Sequence, residues 1–145
     1  MRDDDLYELG RKIRREIVGE EYDNQILANE NEFSEPIRHW TTVNVFGKVW
    51  ADETLPRKTR SLINIAMMSA MRCSSEIRNH VRGALNNGCT QEEIRAVLMQ
   101  VAVYCGVVGV REAVRMANVV FAEEAAKDPN FGKRSREAGT SPADQ

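Results

Sequence analysis

Apolar residues recur at three- and four-residue steps from Leu6 to Phe121, and that period predicts helices along nearly the whole chain. Leu6, Leu9, Ile13 and Ile17 define a first amphipathic helix that Gly19 can end, and a shorter one is expected around Ile26 and Leu27. Ser34 and Pro36 make a helix start, which Ile37, Trp40, Val43, Phe46, Val49 and Trp50 extend until Asp52 and Thr54 break the pattern. After Pro56 the run RKTRSLINIAMMSAM is polar only in its first turn and at Asn64 and Ser69, so a central, mostly buried helix is expected there. Ser74 or Ser75 is expected to cap the next helix, which runs to about Asn86, where Asn86-Asn87-Gly88 is a stop signal. Thr90 with Glu93 three residues on forms a capping box and opens a helix carrying Ile94, Val97, Leu98, Val101 and Ala102. Gly106 and Gly109 punctuate YCGVVGV, and a last long helix passes Val114, Ala117 and Phe121 toward Ala126. No segment sustains a period of two. Residues 1–127 are therefore expected to form one all-α domain of six or seven helices, and residues 128–145, rich in Gly, Pro, Ser and charge, a flexible tail.

Composition narrows the functional classes. The chain is 42% hydrophobic and 29% charged with a net charge of -2, so it carries no electrostatic footprint for nucleic acid. The three cysteines, Cys73, Cys89 and Cys105, are odd in number and none stands in a CxxC pair, which argues against a disulfide framework and against a zinc site. The acidic start MRDDDLYELG has no signal-peptide core, and no run approaches the roughly 18 apolar residues of a membrane span. A cytoplasmic protein with no membrane partner is expected.

Three stretches carry chemistry-bearing residues. In CSSEIRNH, helical spacing puts Cys73, Glu76 and His80 on one side of the chain. A glutamate beside a histidine makes a proton relay, while the same spacing also describes a surface pair worth a few tenths of a kcal/mol. Arg57, Lys58 and Arg60 stand at a helix start, against the macrodipole; an anionic ligand would explain the placement, as would ion pairs with Asp52 or Glu53. Cys105, in the YCG of Tyr104 to Gly106, sits at a break between helices, where a lone cysteine packs or faces a pocket. Trp40, Trp50, Met67, Met68 and Met71 are expected in the core, with the alternative that they wall an apolar cavity.

Taken in order, LYELGRKIRREIVGEEY, GKVWADETLPRKTRSLINIAMMSAM and EIRNHVRGALNNGCTQEEIRAVLMQVAVYCG resemble the carboxymuconolactone decarboxylase family, within the alkylhydroperoxidase D-like group. The resemblance implies an all-helical bundle that assembles into homo-oligomers, trimers or hexamers. It also implies decarboxylation of 4-carboxymuconolactone or a similar small anionic lactone acid in aromatic degradation, with no metal and no organic cofactor. On that resemblance His80 and Glu76 are expected to deliver the proton, and Arg60, Trp50 and Cys105 to hold the substrate.

The sequence departs from the family pattern at several positions. Peroxidase-type relatives carry CxxC followed by a histidine; here Cys73 and His80 match, Glu76 replaces the second cysteine, and Ser61 stands where those relatives have a glutamate. A dithiol peroxidase cycle is therefore disfavoured. Val107 and Val108 replace a branched residue and proline after YCG, Phe46 replaces a tryptophan, and Asn44 a histidine. These last changes leave the substrate less fixed than the fold and keep open a paralogue acting on another lactone or carboxylate; a redox protein using a lone cysteine and a non-catalytic oligomer that binds a small anion are the alternatives.

Overall fold

In the computed structural model, which describes residues 2–132, every regular element among the described residues is a helix. Seven are α-helices: α1 Asp3–Val18, α2 Glu20–Ala28, α3 Glu35–Thr41, α4 Arg57–Ala70, α5 Ser74–Asn86, α6 Gln91–Cys105 and α7 Val107–Lys127. A π-helix, Thr42–Trp50, continues α3 without a break. The expected all-α class holds. By contact density the chain divides after Arg60, inside α4, into two units. Of the expected tail, the first residues form a turn in which the Phe131 amide donates to the Asp128 carbonyl at 2.9 Å, and residues 133–145 lie outside the described residues.

The first unit is built on α1. Its first turn carries Asp3, Asp4 and Asp5, which complement the helix dipole, and its stripe buries Ile13 and Ile17 against Trp50 of the π-helix. Two glycines set the closeness of that packing. A Cβ at Gly10 would collide with the Thr42 carbonyl oxygen, and one at Gly47 with the Leu6 carbonyl oxygen. The π-helix itself departs from the expected continuous α-helix. At its onset Thr41 and Thr42 donate through their hydroxyls to the Ile37 and Arg38 carbonyls, each at 2.8 Å, and the Asn44 side chain donates to the Trp40 carbonyl at 2.9 Å. Side chains thus compete with backbone amides for the carbonyls four residues back, where the wider turn begins.

That change of period divides the apolar set. Val43 and Trp50 are buried, whereas Ile37 and Trp40 are exposed, Trp40 by 62%, so the expectation of Trp40 in the core is corrected. Charge also enters this interior. Arg14 and Asp23 are both buried and meet at 3.0 Å, fastening α2 to α1. Arg38 pairs with Glu30.

The second unit has its own core. Ile65 of α4, Ile77, Val81 and Ala84 of α5, Ile94 and Leu98 of α6, and Ala113 and Val120 of α7 pack together. On α4 the buried stripe is Ser61, Ile65 and Ser69, so the helix is less buried than its composition implied. Met68 borders that stripe and packs on the core. Met67 and Met71 point to the far side and are exposed, which corrects their expected place.

Local signals fare unevenly here. The capping box is present, with the Glu93 amide donating to Thr90 Oγ1 at 3.1 Å and the Thr90 amide to the Glu93 carboxylate at 2.8 Å. Neither Ser74 nor Ser75 caps α5. Both lie inside it, and Cys73 occupies the cap position without a side-chain bond. Gly106, at φ 95°, does break the chain between α6 and α7, but Gly109 lies inside α7. A Cβ there would sit 3.0 Å from the Ser69 carbonyl oxygen, so its role is close helix packing.

Candidate active site

His80 stands on α5 beside the buried Ile77–Val81–Ala84 stripe, where the helical period leaves it half in contact with the interior and half with solvent. Burial lowers its pKa, and the charge of Glu76, one turn earlier and exposed, pulls in the opposite direction without reversing the shift. The imidazole is therefore mainly neutral at pH 7 and has a carboxylate within electrostatic reach. Among the expected site residues, His80 and Glu76 thus act on one another through charge.

Farther along the same face of α5 comes Asn87, just past the helix end, whose side-chain amide donates to Ser61 Oγ at 2.9 Å. Ser61 is buried, so this bond ties the first turn of α4 to the end of α5. Sequence reading took Asn87 only as a stop signal. On the opposite flank Glu123 of α7 accepts from both Arg78 and Arg82, which brackets His80 in sequence and holds α5 to α7. Nothing local in the sequence marks Glu123, because its partners are more than 40 residues away.

Cys73 starts α5 half-buried, with its thiol 3.8 Å from the Met71 carbonyl oxygen. The residue before it, Arg72, has φ 57°, an uncommon backbone for a side chain of that size. Cys105 is exposed at the end of α6 as a free thiol. Neither cysteine shares a disulfide. Among the described residues no group of three or more His, Cys, Asp or Glu converges as a metal site would require.

Trp50 and Arg60 lie in the first unit. Trp50 is 8% exposed and lines a pocket of about 380 Å³ together with Leu9, Ile13, Leu55 and Pro56. Arg60 is engaged with the loop leading into α4: its Nε donates to the Leu55 carbonyl at 3.2 Å and its Nη2 to the Asp52 carbonyl at 2.9 Å. Asp52 is also 3.6 Å from that guanidinium, and its carboxyl pKa is lowered first by hydrogen bonds from Thr54 and then by Arg60. Arg60 is thus a clasp on residues 52–55. Arg57, another of the three candidate cations, pairs with Glu16 at 2.6 Å.

No described helix is long and apolar enough to cross a membrane. Residues 39–118 match the family described as Carboxymuconolactone decarboxylase family. The chain is 35% identical over 121 residues to a 4-carboxymuconolactone decarboxylase of Acinetobacter baylyi, a match spanning 83% of this chain and 90% of that protein. It is 38% identical over 101 residues to nitrosuccinic acid decarboxylase npaB of Metarhizium robertsii, spanning 70% of this chain and 71% of that one. Helical class, the order of the sequence blocks and a match over most of the chain agree, and the chain belongs to the carboxymuconolactone decarboxylase family.

Proposed function

We infer that this protein is a carboxy-lyase acting on a small lactone acid, 4-carboxymuconolactone or one of closely similar shape. The reading is supported by the two named relatives, both decarboxylases, and by the pairing of Glu76 with a half-buried His80. The two acids share a chemical logic. Loss of a carboxylate leaves an electron pair, which in an unsaturated lactone passes through the ring double bond to the carbonyl oxygen and in a nitro acid passes to the nitro group. The substrate is its own electron sink, so the protein's task is to favour the developing oxyanion and return a proton to carbon.

In this scheme the bond from the ring carbon to the carboxylate breaks, carbon dioxide departs, and the ring oxyanion takes one proton on carbon to give the enol-lactone. His80 is the group assigned to that proton. Its resting imidazole is neutral because burial penalises the cation, but an anionic substrate beside it raises its proton affinity, so a proton is taken up with the substrate. Glu76 assists by stabilising the imidazolium. The family resemblance also implies a homo-oligomer. The elbow between α6 and α7 supports this, since Val103 and Tyr104 are 80% and 81% exposed and Val107 and Val108 follow them.

The test is direct: carbon dioxide release by purified protein supplied with 4-carboxymuconolactone. Release that depends on His80 supports the reading. Folded protein that binds the lactone acid without releasing carbon dioxide would make it a binding protein of the same fold.

A further inference from the structure

Helices α6 and α7 lie against one another, and a groove of about 320 Å³ runs between them. Its α6 wall is one helical face: Gln91, Arg95, Leu98, Met99 and Ala102 fall at steps of three and four. The facing wall of α7 follows the same period, with Val110, Val114, Ala117 and Phe121. Phe121 is the last α7 residue on this wall, and the ring of Phe131, in the turn after α7, lies 6.2 Å from its own. The volume lies in the range of small-molecule sites.

The chemistry of the lining is uneven. Leu98 and Val110 make an apolar floor, while Met99 and Val114 remain 65% and 43% exposed at the mouth. Such surface gains on losing contact with water. Arg95 stands exposed on the same face as Leu98 and Met99 and forms no ion pair among the described residues. Asn118 and Gln91 add amides at the edge. A wholly apolar ligand would leave the guanidinium without use, and a polyanion would leave the apolar walls wet. The fit is to a molecule with one apolar body and one carboxylate, which a guanidinium grips through paired hydrogen bonds.

We propose that the α6–α7 groove binds an amphipathic monocarboxylate, its ring or branched chain packed on Leu98, Val110 and Val114 and its carboxylate held by Arg95. The site shares no residue with the His80–Glu76 pair. Its failure and the failure of the decarboxylase reading are therefore separable.

The experiment titrates the purified full chain with 3-phenylpropanoate and, in parallel, with 3-phenylpropanamide, following binding by calorimetry and by protein-observed NMR. The acid is expected to bind saturably below about 10 mM, and the amide at least about fivefold more weakly. Arg95→Gln should erase the difference between the two. Val114→Trp and Met99→Trp, each filling the groove from an exposed position on a different wall, should abolish binding of both while thermal midpoint and carbon dioxide release stay at wild-type values. Equal binding of acid and amide to the wild type, or binding that survives both tryptophan substitutions, overturns the proposal. So does an absence of saturable binding combined with a fall in particle mass in the tryptophan variants, which would assign the groove to a second copy of the chain.

Discussion

A histidine held partly out of water is a different acid from one in solution. Burial lowers the pKa of His80 and Glu76 only moderates the effect, so two consequences follow. As the assigned proton donor, its replacement in His80→Ala should reduce carbon dioxide release from 4-carboxymuconolactone by about 100-fold or more, the usual scale for loss of a general acid, without unfolding the protein. Stability should also depend on it. With a folded pKa below the unfolded value of 6.5, the unfolded chain binds this proton more readily. The contribution is complete above pH 6.5 and is lost as pH falls through the folded value. Thermal midpoints measured on acidification from pH 7 should fall less steeply in His80→Gln than in the wild type; parallel curves would mean that His80 titrates as it does in water. The glutamate–histidine spacing was legible in the chain, but the burial that sets its sign was not, since it depends on α5 presenting Ile77 and Val81 to the core.

Among the elements, the capping box of α6 and the helix junction at Gly106 were readable because their partners lie within four residues. Thr90→Ala should cost about 1 kcal/mol in urea unfolding, as other cap deletions do. The π-helix was not readable. Its sequence TVNVFGKVW keeps an ordinary helical look, and the switch arises where side-chain hydroxyls and an amide engage the preceding carbonyls while α1 presses on Gly47. Gly10→Ala should expose that pressure. With backbone atoms of Thr42 and Gly47 in the way of the new methyl group, a loss of about 3 kcal/mol is expected, read as a lowered urea midpoint. A near-neutral effect would show that α1 can move away at little cost.

At the largest scale each unit carries its own apolar cluster, Ile13, Ile17 and Trp50 in the first and the Ile65–Val81–Val120 set in the second. The first unit adds charge: burial lowers the pKa of Arg14 while Asp23 restrains the fall, and for Arg38 burial also lowers it but the pairing with Glu30 and the nearby Tyr7 together raise it. Exposed Val103, Tyr104, Val107 and Val108 make the elbow the place where self-association would leave its mark. Sedimentation should give a mass that is a multiple of 16.4 kDa, shifting toward one chain in Val107→Glu. A single-chain mass for the wild type would remove the oligomer from the functional reading.

Periodicity, glycines and a capping box are local, and together they determined helical class and most helix boundaries, while the family rests on the longer sequence blocks and on the match over residues 39–118. Tertiary packing decided the rest. Whether Met67, Met71 and Trp40 face core or water depends on which stripe of a mixed helix meets a neighbour, and composition does not specify that. The sequence left Arg60 open between an anionic ligand and an ion pair with Asp52 or Glu53, and the fold engages it with the Asp52 and Leu55 carbonyls and the Asp52 carboxylate. Glu123 and Asn87 acquired roles only when residues distant in the chain came within hydrogen-bond distance, an outcome set by long-range packing and written in no single segment.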